Sequence, residues 1–541
     1  MGRFSPRIGL FFACVRGSLF SEKQCAYTRA ALPGPRKAVI GGGLRMTGAV
    51  EVPVWLLVVI AALALWVIAE RLFLPGVRWF FRRRVNMVIE RFNQRLKLRL
   101  PTFSLTRRKV LVDRLTYDPQ VLTEVRRYCD ETDTPWDVAL ARVEGYAREI
   151  VPSLNAYIYE RVASLIVKRL IRRFYRVRLT AVERLETLDE NASIVFVINH
   201  RSNMDYLLVA YLAMRHTLLS YAVGEWARVW PLQQLIQALG GYFVRRNSGD
   251  ELYRRVLERY VQMAVEGGVV QAMFPEGGLS RDGAFREPRI GLFDYIVRGF
   301  DVEGSRDVLF IPVGVNYDWV LEDRKLLAEA GHKRLERRST LFALVGAVRY
   351  LGRRLRRRFR GEWYRMGYAA AVFGEPVSLR AWCTEQGIAP DKLPREERIA
   401  HTQAFAGHLL EHIGNVVPAL PVPLLSWIML GAARERWTRE QLESAYMGVV
   451  AEIDASGRGY VPRREPTYAV ELALRILKSR QMVREEDGCY RVEPLHRAIM
   501  RYYANTLRHL LGKPRQLETD QLPERPRRRR NQRSTKARSI T

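Results

Sequence analysis

The feature that most constrains the fold is a series of short β-rich runs in the middle of the chain. The runs are apolar and rich in β-branched or aromatic residues, and helical stretches such as Glu251–Glu266 separate them. They are Ser193–Ile198, Leu218–Val223, Tyr242–Val244, Val269–Phe274 and Val308–Val315. Strands that alternate with helices are typical of an α/β layer, with functional residues at the strand ends. We therefore expect an α/β domain over residues 181–380, in which Val372–Val377 adds an edge strand.

The rest of the chain divides by composition and hydrophobic pattern. Apolar residues at helical spacing predict helices on both sides of the α/β domain, and the last residues are basic and poor in apolar side chains. The predicted segments are a basic leader or overextended start at 1–45, a membrane anchor with a basic juxtamembrane segment at 46–85, a helical region at 86–180, the α/β catalytic domain at 181–380, a helical and partly interfacial region at 381–433, a C-terminal helical domain at 434–512 and a disordered basic tail at 513–541.

The run Val52–Ala69 is the candidate membrane anchor. It has 18 residues and no charge, which meets the minimum of about 18 for a spanning helix. Arg71, Arg78 and the arginines at 82–84 follow it. Because positive residues favour the cytoplasmic side, the pattern predicts an inner or plasma membrane protein with a cytoplasmic catalytic domain. The alternative is a helix buried in a protein core.

The charge balance points to an anionic partner. The chain has 88 Lys and Arg against 57 Asp and Glu, a net charge of +31. Nucleic acid, anionic lipid and a phosphorylated substrate all fit this excess. Since no RRM, zinc-finger or helix-turn-helix pattern is present, we expect an anionic phospholipid membrane and no nucleic acid. The five cysteines lie far apart without a CxxC pair, so we expect neither a disulfide framework nor a thiolate zinc site.

His200 and Asp205 form the candidate catalytic pair. The run Ser193–Ile198 leads directly into Asn199 and His200, and Asp205 follows five residues after the histidine. If a helix begins near Asn203, the carboxylate can accept a hydrogen bond from the imidazole, fix its tautomer and leave the other ring nitrogen to take a proton. Without a GxSxG nucleophile elbow, the pair predicts direct attack by a bound hydroxyl. A histidine that only caps the turn is the alternative.

Three further motifs follow strands or span one. Two glycines and a short strand lead to Arg245 and Arg246, whose guanidinium forks suit phosphate oxygens. In Phe274–Gly283, the glycine amides and an arginine predict an anion cradle. In Phe310–Asp318, Pro312 predicts a shaped edge or a bulge, and we expect this motif to form a wall of the site without a chemical role.

Together the four motifs resemble the glycerolipid acyltransferase superfamily, and most of all its bacterial and mitochondrial-type glycerol-3-phosphate acyltransferases. The matching blocks, in order, are His200–Asp205, Gly241–Arg246, Phe274–Gly283 and Ile311–Tyr317. The run Tyr502–Leu511 also resembles the C-terminal region of that branch. The resemblance is strong over residues 185–320 and visible to 512, and it does not cover 1–85 or the tail.

The resemblance implies an α/β fold with a mixed sheet flanked by helices, and O-acyltransferase activity. It implies that His200 deprotonates the sn-1 hydroxyl of glycerol 3-phosphate, that Asp205 orients His200, and that the hydroxyl attacks the thioester of acyl-CoA or acyl carrier protein. The product is lysophosphatidate for phospholipid synthesis, and neither a cofactor nor a metal is required. The residues expected to hold the glycerol phosphate are Arg245, Arg246, Glu276, Gly277, Gly278 and Arg281.

One position departs from the family pattern. The third block usually carries a second arginine where this chain has Leu279, and Arg245, Arg286 or Arg289 are candidates to replace it. Leu279 keeps two other acceptors open, namely lysophosphatidate, with the same dyad acting on a 2-hydroxyl, and dihydroxyacetone phosphate. An interpretation of a different class is a non-catalytic basic scaffold that binds a membrane or nucleic acid.

Overall fold

The structure, a computed structural model, describes most of the chain between residues 106 and 512 and one helix before it. The described residues are 53–68, 103, 106–153, 169, 171–186, 188–189, 191–208, 211, 219–224, 232–245, 248–331, 365–432, 434–459 and 466–512. The predicted leader at 1–45 and the predicted tail at 513–541 lie outside these residues. The chain divides into two compact units, Met1–Pro75 and Gly76–Thr541.

The first unit contains one described helix, α1, which spans Val54–Ile68 and consists of apolar residues. Its large side chains are mostly exposed, including those of Trp55, Leu63 and Trp66. Within the described ranges, no helix is both long enough and apolar enough to cross a membrane. Of the predicted anchor at Val52–Ala69, the structure describes residues 53–68, and its membrane role stays a prediction.

The second unit is built on a mixed sheet, to which eight described strands belong. The strands are β1 Arg176–Thr180, β2 Ser193–Ile198, β3 Ser220–Gly224, β4 Gly241–Val244, β5 Gln271–Met273, β6 Val308–Tyr317, β7 Tyr368–Phe373 and β8 Val377–Ser378. Their order is β1-β7-β6-β2-β5-β3-β4, and β8 pairs with β6. Strands β2 to β6 run parallel, whereas β7 and β8 run antiparallel to β6. The carboxyl ends of β2, β5 and β6 therefore meet at the centre of one edge, and the predicted mixed α/β fold is confirmed.

Helices cover both faces of this sheet. They are α2 Arg108–Thr116, α3 Pro119–Thr132, α4 Trp136–Ile150, α5 Leu232–Ala238, α6 Glu251–Glu266, α7 Gly291–Arg298, α8 Asp323–Ala330, α9 Leu379–Gln386, α10 Arg395–Val416, α11 Pro421–Gly431, α12 Arg439–Ser456, α13 Pro466–Ser479, α14 Arg497–Asn505 and α15 Arg508–Leu511. Because strand side chains alternate between faces, Val195 and Val197 of β2 join a core with α2–α4, α6 and α10. Ile194, Phe196 and Ile198 join the opposite core with α11–α14.

Two predictions about the sheet are wrong. Residues 86–180 are not helical throughout, because Arg176–Thr180 forms strand β1 along β7. The sheet therefore begins five residues before the predicted boundary at 181. Nor is there an edge strand at Val372–Val377, since β7 lies between β1 and β6.

Two predictions about the C-terminal part also need correction. The segment 434–512 is not purely helical, because β9 Arg436–Trp437, β10 Val483–Glu486 and β11 Cys489–Val492 form a small antiparallel sheet. The segment 381–433 is not partly interfacial at its apolar end. Helix α11 is almost wholly buried there, because it packs between α13, α14 and the large sheet.

Pro312 lies inside the central strand β6, so the first of the two predicted alternatives, a shaped edge, is wrong. Its carbonyl accepts a hydrogen bond from Gly374 N at 2.8 Å. The N and C=O groups of one strand residue point to the same neighbouring strand. The nitrogen of Pro312, which has no hydrogen to donate, therefore points to the bend between β7 and β8. No ladder bond is lost there, because β6 pairs with β8 at residues 309–310 and with β7 only from Val313 onward.

The close approach of α10 to β6 generates a stability prediction. A Cβ at Gly314 would lie 2.5 Å from Val416 O, a backbone atom that cannot move aside cheaply. We expect Gly314→Ala to cost about 1–3 kcal/mol by overpacking, seen as a lower midpoint of thermal unfolding. Gly407→Ala on α10 is the matched control, because nothing lies within 4 Å of its Cβ, and helix propensity should leave its midpoint equal or higher. Equal midpoints for the two variants would contradict this packing.

Candidate active site

The turn that carries His200 is fastened to the end of β6 by the side chain of Asn199. Asn199 Nδ2 donates to Val315 O at 2.9 Å, and its Oδ1 accepts from Val315 N at 2.7 Å. The amide thus continues the pairing of β2 with β6 beyond the last strand residue. Residues 204–208 then form the helical turn on which Asp205 lies.

Asp205 holds the imidazole of His200. Its Oδ2 lies 2.8 Å from His200 Nδ1, and the same oxygen accepts from the backbone N–H groups of Arg201 at 2.7 Å and Ser202 at 3.0 Å. Because the carboxylate oxygen is the acceptor, Nδ1 carries the proton and Nε2 is left to accept one. The contact that the five-residue spacing predicts is present, whereas its catalytic role stays a prediction.

Tyr317, the last residue of β6, binds the other oxygen of Asp205. Its hydroxyl donates to Asp205 Oδ1 at 2.6 Å, and both side chains are fully buried. Burial first, and then the charge of Asp205, raise the pKa of Tyr317 well above its ordinary value, so the phenol keeps its proton. Sequence reasoning gave this motif no chemical role. A parallel pairing of β6 with β2 was the missing signal, because it brings the end of the fourth motif beside the first.

Glu276 is fully buried and ties two loops together. Its Oε1 accepts from His200 N at 2.9 Å, and its Oε2 accepts from Arg286 N at 3.1 Å. Burial raises the pKa of this carboxyl, while the charge of Arg201 and the two backbone N–H groups oppose the rise. Each oxygen thus already accepts from one backbone donor, and the expectation that Glu276 holds the glycerol phosphate stays a prediction.

A pocket of about 370 Å³ opens beside His200. The predicted residues Gly277, Gly278 and Arg281 line it, and so does Leu279. Gly277 has a φ of +62°, and a Cβ there would lie 2.6 Å from Cδ of Arg289. The glycine is thus needed both for the turn and for the passage of the Arg289 stem over it.

The pocket is strongly cationic. Arg281, Arg286, Arg289 and Lys325 line it, against the single carboxylate of Glu329, which lies 3.7 Å from Lys325. Arg286 and Arg289 thus lie where the arginine missing at Leu279 could be replaced. We did not predict from the sequence that Lys325, on α8, would line the pocket. Its position only seven residues after the fourth motif was a signal that could have suggested this. Such a set of guanidinium and ammonium groups suits a phosphate.

Arg245 does not reach this pocket. Its Nε and Nη2 donate to Glu149 on α4, at 3.0 and 2.6 Å, and its guanidinium lies over the rings of Tyr146 and Tyr253. Strand β4 is three strands from β2, or about 14 Å at the usual spacing. The expectation that Arg245 binds substrate or replaces the missing arginine is wrong for this reason. Arg246 lies outside the described residues.

Two adjacent tyrosines of α14 hold the two sides of the pocket. The carbonyl of Tyr502 lies 1.9 Å from the place where a Cβ of Gly283 would stand, so the 280–284 loop packs directly on the helix backbone. The hydroxyl of Tyr503 donates to Asp323 at 2.6 Å, at the start of α8, and accepts from Arg480 at 2.7 Å. The loop with Arg281 and the helix with Lys325 therefore share one support.

The described residues contain no group of three or more His, Cys, Asp or Glu side chains placed to hold a metal ion.

Comparison with protein families gives two matches along the chain. The family model described as Acyltransferase matches residues 179–316, and the model described as Glycerol-3-phosphate acyltransferase C-terminal region matches residues 355–515. The first covers β2 to β6 with the dyad, and the second covers α14 with its two tyrosines. A solved 1-acyl-sn-glycerophosphate (LPA) acyltransferase from Thermotoga maritima is 18% identical, with a TM-score of 0.28, and the match covers 54% of this chain and 94% of that protein.

Curated relatives agree with the family models. A glycerol-3-phosphate acyltransferase of Pseudomonas paraeruginosa is 26% identical over 452 residues, which cover 80% of this chain and 52% of the relative. One of Pseudoalteromonas atlantica is 24% identical over 390 residues, which cover 69% of this chain and 46% of the relative. The chain spans about half the length of the curated relatives it matches. The resemblance to acyltransferases is therefore confirmed: two regions of the chain match acyltransferase family models, and the curated relatives it matches are named glycerol-3-phosphate acyltransferases.

Proposed function

We propose that this chain is a glycerol-3-phosphate 1-O-acyltransferase, which makes lysophosphatidate. The supporting observation is that His200, with Nδ1 held by Asp205, lines the same pocket as three arginines and Lys325. A phosphate bound by these cations places a hydroxyl of the same small molecule within reach of the imidazole. Holding acceptor and base together in this way removes most of the entropy cost of their encounter.

In the proposed reaction, Nε2 of His200 takes the proton of the sn-1 hydroxyl as its oxygen attacks the thioester carbonyl carbon. The new C–O bond forms, the C–S bond breaks, and the imidazolium returns its proton to the departing thiolate. Asp205 stabilises the imidazolium, and Tyr317 keeps the carboxylate turned toward the ring. A positioned general base of this kind contributes about 10²–10⁴-fold to the rate.

Leu279 favours lysophosphatidate as a second candidate acceptor beside glycerol 3-phosphate. Its side chain lines the pocket among the cationic residues, and an apolar wall beside a phosphate site suits an acceptor that already carries an acyl chain. Lysophosphatidate is such an acceptor, and the same dyad would act on its 2-hydroxyl. Dihydroxyacetone phosphate fits the cations equally well but makes no use of Leu279.

We further propose that the enzyme works at a membrane, with acyl-CoA or acyl carrier protein as the donor. Helix α1 presents exposed apolar side chains such as Trp55 and Trp66, as expected of a lipid-contacting helix. The net charge of +31 favours anionic phospholipid.

A panel of acceptors tests the proposed reaction. Purified protein in mixed micelles is given glycerol 3-phosphate, lysophosphatidate or dihydroxyacetone phosphate, each with acyl-CoA and with acyl carrier protein thioester, and the acylated products are identified by mass. We expect 1-acylglycerol 3-phosphate from glycerol 3-phosphate to dominate. Product from lysophosphatidate alone would overturn the choice of acceptor, and no product from any pair would favour the scaffold interpretation.

Replacement of the base tests the mechanism. We expect His200→Ala to lower kcat by about 10²–10⁴-fold, the usual contribution of a positioned general base. The matched control is His401→Ala, which removes a partly buried histidine of α10 away from the pocket and should leave kcat unchanged. A His200→Ala protein that folds and keeps more than a tenth of the wild-type kcat would rule out this residue as the base.

Lys325 tests the assignment of the phosphate. We expect Lys325→Gln to raise KM for glycerol 3-phosphate roughly 10-fold or more, the usual cost of losing one charged hydrogen bond, with a smaller effect on kcat. Lys392→Gln is the control, because Lys392 is exposed and does not line the pocket. An unchanged KM in the Lys325 variant would show that the phosphate binds elsewhere.

A further inference from the structure

A second cationic cavity lies at the sheet edge that carries the dyad. It has a volume of about 260 Å³, and the arginines Arg176, Arg365 and Arg475 line it together with Trp319 and Gly367. The described residues that line it include no carboxylate, and it shares no lining residue with the pocket of His200. The acceptor site described above therefore does not account for its charge.

The strand directions place this cavity on the same edge as His200. Strands β1 and β7 run opposite to β6, so they begin at the edge where β6 ends, and Tyr317 of β6 pairs with Ala369 of β7. Arg176 is the first residue of β1, which is three strands from β2. At the usual strand spacing the two sites are about 14 Å apart along the edge.

The arginines keep capacity to bind an anion. Arg176 Nη1 is buried and has no hydrogen-bond partner among the described residues. Arg365 is exposed and forms no ion pair within the described part of the chain. Arg475 gives one nitrogen to Glu471 at 2.5 Å, and about half of its side chain remains exposed. A buried guanidinium nitrogen without an acceptor is unfavourable, so an anion in the cavity would be stabilised.

The buried carboxyl of Asp318, next to Trp319 in the chain, does not fully neutralise this cavity. Asp318 is fully buried, and its oxygens accept from Tyr368 N at 2.7 Å and Val422 N at 2.9 Å. Burial raises the pKa of Asp318 to about 7, against the opposing effects of these two donors and of Arg176. Near neutral pH the group therefore carries only part of a negative charge.

We propose that this second cavity binds the phosphate of the phosphopantetheine arm that carries the acyl group. This inference rests on the proposed acyltransferase function and assigns the donor side of it. Arginine forks match phosphate oxygens, and the arm is an extended chain with two amide bonds that can bridge the separation between the cavity and His200. Coenzyme A and acyl carrier protein share this arm, so one site serves either donor.

Donors with and without the phosphate test the assignment. The variants are Arg176→Gln and the double variant Arg365→Gln/Arg475→Gln, which changes two solvent-accessible arginines and should fold normally. The donors are palmitoyl-CoA, palmitoyl-acyl carrier protein and palmitoyl-pantetheine, which lacks the phosphate. We expect KM for a phosphate-bearing donor to rise roughly 10-fold or more, while KM values for palmitoyl-pantetheine and glycerol 3-phosphate stay unchanged. A rise confined to one of the first two donors would contradict a site that serves both.

Arg484→Gln is the matched control, because Arg484 is a well-exposed arginine of β10 outside the cavity. Unchanged donor KM values in the double variant, or an equal rise for palmitoyl-pantetheine, would overturn the proposal. Titration calorimetry with free CoA separates this result from failure of the proposed function, since it needs no turnover. If wild-type protein acylates no acceptor, CoA binding alone decides the proposal for the cavity. The proposal then requires that CoA binds wild type and binds the double variant about 10-fold more weakly.

Discussion

The carboxylate of Asp205 is fully buried, and a buried charge is stable only where hydrogen-bond donors surround it. Four donors do so: the ring of His200, the backbone N–H groups of Arg201 and Ser202, and the hydroxyl of Tyr317. They come from the turn after β2 and from the end of β6. One side chain thus fixes the shape of the turn, the tautomer of the imidazole and the distance between two central strands.

The two regions that the family models match form one site. The first supplies the dyad and the cationic loop, and the second supplies Tyr502 and Tyr503, which support that loop and the start of α8. Within the first region, Glu276 joins the His200 turn to Arg286, and Arg201 donates to Gly283 O at 2.6 Å. His200 and the cationic pocket are therefore held by a shared set of buried contacts, which suits the proposed reaction, since it needs both in register.

The sequence predicts best what is local. The contact between His200 and Asp205 follows from five residues across a strand–helix turn, and Gly277 and Arg281 follow from one loop. The arrangement of residues that are distant in sequence could not be predicted. Arg245 follows the His200 motif closely in sequence order, whereas the strand order places it on β4, three strands from β2. Tyr317 was missed because the pairing of β2 with β6 cannot be read from either strand alone. The backbone donors of Glu276 were not predicted, because a carboxylate beside glycines fits substrate and backbone donors equally well.

The claim that Tyr317 acts on the imidazole through Asp205 is tested most directly by a double-mutant cycle. The kcat of Tyr317→Phe, Asp205→Asn and the double variant would be compared with that of wild type. The account predicts that Tyr317→Phe lowers kcat a few-fold to about tenfold in wild type and has almost no effect in the Asp205→Asn background. Losses that simply multiply in the double variant would show that the two residues act independently, and the proposed coupling would then be wrong.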